Sequence, residues 1–200
     1  IAVFTGTVFG SLHIINLIFT YIATADDLLG ENSYEYYEWR FGKIAYKKKG
    51  KGSPVLLVHD LNVCSSSDEW RNIEDSFAEN HTVYTLDLLG CGCSDHPILT
   101  YTNYMYVQLI TDFIKHIIKD KTDVIVSGNS CSFVLMACAN DDSIINRVTL
   151  INPQNLVSLA KIPTKHTKLI KWLLYTPILG TFIYNMKVNK RTIKQEYSSS

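Results

Sequence analysis

The run Asp123-Val124-Ile125-Val126-Ser127 is β-branched, Gly128-Asn129-Ser130-Cys131-Ser132 reads as a tight turn, and Phe133-Val134-Leu135-Met136-Ala137-Cys138-Ala139 continues as an apolar helix. A serine hydroxyl is a weak nucleophile at neutral pH. An enzyme that uses one exposes it on a strained turn, gives it a base and stabilises the oxyanion that forms. Ser130 is expected where strand gives way to helix, with the Cys131 N–H and the helix N-terminus aimed at the group it attacks. The competing reading is an ordinary Gly-Asn turn between a strand and a helix of any α/β protein. The surrounding sequence separates the two.

Upstream, Trp39 to Lys47 alternates well enough for a strand, and Pro54-Val55-Leu56-Leu57-Val58-His59 is a continuous apolar run of the kind that forms an inner parallel strand. Ser67-Asp68-Glu69 caps a predicted helix through Trp70, Ile73 and Phe77, and Thr82 to Leu86 is the next strand. Thr102 to Lys119 places Val107, Ile110, Phe113, Ile114, Ile117 and Ile118 on one helical face, ahead of the Val124 strand, the Ser130 helix and a strand from Val148 to Ile151. Strand and helix alternate, so the expected fold is α/β: a mainly parallel sheet with helices on both faces and right-handed crossovers. After Asn152-Pro153 the alternation stops. Lys161 to Thr181 reads as a basic amphipathic helix broken at Pro177 and Gly180. The expected organisation is an apolar N-terminal helix (1–25), a polar linker (26–35), an incomplete α/β core (36–155) and the start of a helical cap (156–200).

The 200 residues are 46% hydrophobic and carry nineteen basic and nineteen acidic side chains, which suits one buried core and argues against a nucleic-acid binder. Charge is unevenly spread: residues 155–200 hold eight Lys or Arg against the single acid Glu196. The five cysteines, Cys64, Cys91, Cys93, Cys131 and Cys138, imply no disulfide framework, and no second Cys or His pair stands at metal-ligand spacing from Cys91 and Cys93. Residues 1–25 contain no charge and would span about 37 Å as a helix, enough to cross a bilayer. A membrane anchor, a cleaved signal ending near Ala23-Thr24-Ala25, and a buried or interfacial helix all remain open for this segment. The first places the chain at a membrane; the others leave it soluble.

Three motifs in order make residues 36 to about 195 resemble the N-terminal two-thirds of an α/β-hydrolase of the esterase, lipase and C–C hydrolase type. His59-Asp60-Leu61, directly after the apolar strand, is similar to the His-Gly-x segment whose backbone completes the oxyanion hole; the resemblance assigns that role to the Leu61 N–H. Asp60 stands where the family usually has Gly, and a carboxylate beside an oxyanion raises its energy. Asp87-Leu88-Leu89-Gly90-Cys91-Gly92-Cys93-Ser94 matches the family's Asp-Leu-x-Gly-x-Gly-x-Ser loop, a structural element. The third motif is the turn at Gly128 and Ser130, with Ser132 where a final Gly is usual. The resemblance implies a Ser130 nucleophile, an oxyanion hole from the Cys131 and Leu61 N–H groups, and acyl transfer to water without cofactor or metal. Haloalkane dehalogenases share the fold but use an Asp nucleophile.

The family places its catalytic acid and His after later strands, so both are expected beyond Ser200, and the chain alone is expected to hydrolyse esters poorly. Of His13, His59, His81, His96, His116 and His166, only His96 or His166 is placed to approach Ser130, and Asn152-Pro153-Gln154-Asn155 offers no carboxylate. Asn129, Leu169, Trp172 and Leu173 are the expected pocket residues. The basic segment reads as a lid over an acyl pocket, as a cationic face on anionic lipid, or as an amphipathic helix with solvated lysines. A small lipid-like ester is the expected substrate, and a non-catalytic binding protein of the same fold is the alternative.

Overall fold

The computed structural model describes residues 10–19, 21, 34–62, 65–154 and 165–187, with only the backbone of Lys165, His166, Lys168, Pro177 and Lys187. The expected linker (26–35) lies almost wholly outside them, as do Cys64 and both ends of the chain. The described residues fall into two units, Asn32–Leu159 and a second one drawn from Ile1–Glu31 and Ala160–Ser200.

In the first unit β1 (Glu35–Trp39), β2 (Gly42–Lys49), β3 (Ser53–Val58), β4 (His81–Leu86), β5 (Thr122–Ser127) and β6 (Ile145–Ile151) form one sheet in the order β1-β2-β4-β3-β5-β6. β1 and β2 are an antiparallel hairpin and β2 runs antiparallel to β4, whereas β4, β3, β5 and β6 are parallel neighbours. With α1 reserved for the helix at residues 10–19, the crossovers are α2 (Arg71–Ala78, entered through a 3₁₀ turn at Ser67–Trp70), α3 (Asn103–Phe113) and α4 (Cys131–Asn140). The expected mainly parallel α/β sheet is present.

Period-two alternation explains why both faces are covered. Leu56, Val58, Tyr84, Leu86, Val124 and Val126 pack with α3 and α4, while Val55, Leu57 and Val83 face the other way onto Trp70 and the partly buried Ile73 and Phe77 of α2. Phe113 is fully buried at the centre of the larger cluster, with the rings of Tyr46, Tyr37 and Tyr84 edge-on at centroid distances of 5.2, 6.1 and 6.4 Å.

The stretch Trp39 to Lys47, expected as one strand, is divided by a turn at Arg40–Phe41. Hydrophobic alternation cannot register a reversal that keeps its phase. The hairpin is fastened to α3 by Trp39 Nε1 and Arg40, which both donate to Asp112 Oδ2, at 2.8 and 3.0 Å. In the second unit the expected single cap helix is two, α5 (Lys165–Leu174) and α6 (Pro177–Lys187). Pro177 opens the second helix, where its missing N–H costs nothing. Gly180 lies inside α6 and breaks nothing; a Cβ there would collide with the Leu174 carbonyl. No helix among the described residues is long and apolar enough to cross a membrane, so the expected spanning anchor is not found there.

Replacing Phe113 with Ala empties the centre of the aromatic cluster and is expected to cost about 3–5 kcal/mol of stability. Urea unfolding followed by far-UV circular dichroism measures it; a loss below about 1 kcal/mol would contradict this picture of the core.

Candidate active site at the carboxyl ends of the strands

The chain leaves β3 toward β4 on one side, and later returns through β5 on the other. The two crossovers therefore diverge at the carboxyl ends of β3 and β5, the position where open α/β sheets leave a crevice. His59-Asp60-Leu61 follows β3 and Gly128-Asn129-Ser130 follows β5. The topology thus brings the first and third motifs together, and the Asp87 loop follows β4 beside them.

His59 is fully buried. Its Nε2 accepts the Leu88 N–H at 3.0 Å, which leaves the proton on Nδ1 to be donated to the Asp60 carbonyl at 2.7 Å. Burial holds its pKa below the ordinary value, against opposing pulls from the Asp60 carbonyl and the Asp87, Glu69 and Asp60 carboxylates. A neutral ring with both nitrogens engaged ties the β3 loop to the β4 loop and has no lone pair left for base catalysis.

Asp87 is also fully buried, and its carboxylate is held by backbone: Oδ1 accepts the Ser67 N–H at 2.6 Å and Oδ2 accepts the Cys93 N–H at 2.8 Å. Ser94 Oγ donates to the Asp87 carbonyl at 2.6 Å and accepts the Ala45 N–H at 2.9 Å. Gly92 has φ +51°, and a Cβ would run into the Asp87 carboxylate, which accounts for the glycine. Gly90 (φ +84°) lies against the Tyr101 ring. Burial, helped by the Asp87 and Asp60 charges, pushes the Cys91 thiol up to about 12, and burial also raises Cys131. Neither thiol is ionised at neutral pH, so neither competes as a nucleophile.

The turn at Ser130 differs from the expected strained, exposed elbow. The positive φ falls on Gly128 (+55°), while Ser130 has helical dihedrals (φ −66°, ψ −21°). Ser130 is completely buried, and its Oγ donates to the His59 carbonyl at 2.6 Å. The Cys131 N–H, expected to face an oxyanion, is bonded back to the Gly128 and Asn129 carbonyls within the 3₁₀ turn Gly128–Ser130. Asp60 explains the difference. Its Oδ1 accepts the Asn129 N–H at 2.6 Å and Asn129 Nδ2 at 3.2 Å, and a Cβ on Gly128 would strike the same carboxylate. Asn62 Nδ2 holds Oδ2 at 3.2 Å, and Glu69 Oε2 accepts the Asp60 N–H at 2.9 Å. A carboxylate capping the turn in this way favours its helical form.

Leu61 is half-buried and its carbonyl accepts Asn129 Nδ2 at 3.4 Å; Ser132 Oγ donates to the Asn129 carbonyl at 3.0 Å. The other expected pocket residues, Leu169, Trp172 and Leu173, belong to the helical unit, where the first two are exposed. Ser67 and Glu69, which the sequence assigns only to a helix cap, have second tasks as partners of Asp87 and Asp60. Nothing in local sequence signals a partnership that spans loops. His81 and His116 are engaged elsewhere, with Ser53 Oγ and Tyr37 Oη at 2.8 Å each. His96 is exposed, and the side chain of His166 lies outside the described residues.

A family model described as the alpha/beta hydrolase fold matches residues 53–176. The chain belongs to the alpha/beta hydrolase family. It is 28% identical over 114 residues to a 2-hydroxy-6-oxo-6-(2'-aminophenyl)hexa-2,4-dienoic acid hydrolase of Metapseudomonas resinovorans, covering 56% of this chain and 39% of that protein. It is 31% identical over 83 residues to a soluble epoxide hydrolase of Corynebacterium sp. strain C12, covering 42% and 28%. A crystal structure of a serine hydrolase involved in carbazole degradation (CarC enzyme) superposes with a TM-score of 0.60 at 20% identity, over 83% of this chain and 67% of the other. The chain thus spans well under half the length of the two curated relatives. Both curated relatives are named as hydrolases.

The neutral, buried state of His59 has a consequence for stability. The unfolded chain takes up a proton on this ring below about pH 6.5, whereas the folded chain resists doing so. The contribution is fully present above that value and is lost as the pH falls toward the depressed folded value. Stability measured by urea titration between pH 7.5 and pH 5 is expected to decline, and His59→Gln to remove part of the decline; an unchanged slope would refute the assignment.

Proposed function

We propose that Ser130 is the nucleophile of a serine hydrolase that cleaves an ester or thioester of an apolar, lipid-like substrate. The observation that carries this reading is the position of Ser130 at the N-terminus of α4, beside the divergence of β3 and β5, where the helix dipole favours a developing negative charge. The family match and the hydrolase relatives support the reaction class; the choice of an ester follows from a Ser hydroxyl as attacking group. The apolar character of the substrate rests on sequence alone, residues 165–187 being rich in apolar side chains. Leu61 and Cys131 supply the oxyanion N–H groups once the turn has opened, with Asn129 at the pocket wall.

Opening is required because Ser130 is buried and the Cys131 N–H is satisfied internally. Ser130 must rotate out of its helical conformation, releasing the His59 carbonyl. The 200-residue chain by itself turns over esters slowly on this reading, since Ser130 Oγ is bonded to a carbonyl and not to an imidazole. A non-catalytic binding protein of the same fold is the second reading, favoured by the Asp60 carboxylate at the turn.

A fluorophosphonate probe is expected to label the peptide containing Ser130, slowly in this chain, and Ser130→Ala to abolish the label. Mass spectrometry of the modified peptide reads the result, and equal labelling of the variant would leave the binding reading. Removing the cap on the turn should accelerate the reaction. Asp60→Ala is expected to raise the Ser130 labelling rate about tenfold, the equivalent of about 1.4 kcal/mol, because hydrogen bonds to a charged group are worth about that or more. Asp60→Asn, which keeps an acceptor for the Asn129 N–H, should stay closer to the parent; a rate in Asp60→Ala at or below the parent rate would refute the role given to this carboxylate.

A further inference from the structure

Among the described residues of the helical unit, a polar side chain is buried and several apolar ones are exposed. In α1 the one buried residue among those described is polar: Asn16, only 5% exposed, donates from Nδ2 to the Ile178 carbonyl at 3.0 Å and accepts from Asn185 Nδ2 at 3.4 Å through Oδ1. Its apolar neighbours Ile14, Leu17 and Ile18 are 58, 57 and 53% exposed. In α5, Leu169, Ile170 and Trp172 are 56, 57 and 65% exposed. The sheet unit encloses most of its leucines, isoleucines and valines, although Ile98, Leu135, Leu150 and Ile151 are exposed.

Each observation bears on what surrounds these helices. Apolar surface left facing water forfeits about 25 cal/mol per Å², and contiguous patches of this kind mark interaction sites. Asn side chains hydrogen-bonded between helices with aliphatic side chains outside are the arrangement that helices adopt in an apolar solvent, where a polar group must find its partner internally. The charge points the same way. Residues 165–187 contain Lys165, Lys168, Lys171 and Lys187 and no acid, and residues 10–21 contain no Lys, Arg, Asp or Glu. A segment of that composition suits anionic headgroups above acyl chains. A protein partner burying this surface would instead bring apolar side chains with acidic ones around them. The Asn16 hydrogen bonds favour lipid, because they already satisfy the polar groups that a protein partner could otherwise reach.

We infer that the unit formed by α1, α5 and α6 is a lipid-docking surface that seats the protein in the headgroup and acyl boundary of an anionic bilayer. With ten and eleven residues, α5 and α6 are about 15 and 17 Å long, near half the hydrocarbon thickness, so they lie in the surface and do not cross it. The inference is independent of the hydrolytic role of Ser130.

Trp172 makes it testable on the whole chain, because the other two tryptophans, Trp39 and Trp70, are 7 and 4% exposed. The chain is mixed with phosphatidylcholine vesicles containing about one third phosphatidylglycerol, a fraction that gives a strongly negative surface, and with pure phosphatidylcholine vesicles. Flotation with the anionic vesicles is expected, weakened by salt, with a blue shift of tryptophan emission that Trp172→Phe removes. Ile170→Glu is expected to lower the partition coefficient about tenfold, as placing a charge where an apolar side chain inserts should. Lys171→Glu, at an exposed position whose ammonium lies 5.7 Å from the Tyr175 ring centroid, should reduce the preference for anionic over neutral vesicles. Absence of flotation, flotation indifferent to both Ile170→Glu and Lys171→Glu, or a Trp172 shift that follows protein concentration without lipid and so reports self-association, would each overturn the inference.

Discussion

Four hydrogen bonds cross from the loop after β3 to the turn after β5. Ser130 Oγ reaches the His59 carbonyl, the Asn129 N–H and Nδ2 both reach Asp60 Oδ1, and Asn129 Nδ2 also reaches the Leu61 carbonyl. Parallel strands pair along their length, but nothing in the ladder fixes the loops at their ends. Here those loops are fixed by a carboxylate and a hydroxyl, and the form of the turn at Ser130 follows from them. His59 and Asp87 extend the same network to β4 without an ion pair, through backbone N–H groups that would otherwise be buried without partners.

The order of strands and helices was legible because each buried strand is a short apolar run and each crossover helix repeats its apolar residues every three or four positions. The Asp87 loop was legible through its resemblance to the family's Asp-Leu-x-Gly-x-Gly-x-Ser motif, and the structure supplies the reasons: a Cβ on Gly92 would meet the Asp87 carboxylate, and Ser94 Oγ donates to the Asp87 carbonyl. The conformation at Ser130 was not. It depends on Asp60, some seventy residues away in the chain, and on which residue of Gly128-Asn129-Ser130 takes the positive φ. Glycine takes it at the least cost, so Gly128 relieves Ser130 of strain. A motif specifies which backbone conformations are open to a turn, and the contacts around it choose among them.

In the helical unit the limit was different. Amphipathic periodicity in residues 165–174 was readable, but periodicity marks where apolar residues cluster and says nothing of whether that cluster faces inward. The burial of Asn16 is not readable from its place in an uncharged segment. In the structure Asn16 is buried and bonded to the Ile178 carbonyl and to Asn185, while its neighbours Ile14, Leu17 and Ile18 are exposed.

Asp60 decides how a hydrolase could work from this geometry. Two negative charges about 4 Å apart at an effective dielectric of about 20 repel by about 4 kcal/mol, close to a thousandfold in rate, so a carboxylate that stayed at the turn would cancel the gain from an oxyanion hole. The carboxylate is held at the turn by the Asn129 N–H and Nδ2 on Oδ1, while Asn62 Nδ2 holds its other oxygen. On the proposed reading, opening the turn to expose Ser130 breaks the Asn129 N–H contact and leaves the carboxylate to Asn62, in its own loop. Exposure of the nucleophile and release of the opposing charge from the turn are then one movement, which is how a carboxylate in place of the usual glycine would coexist with a serine able to attack.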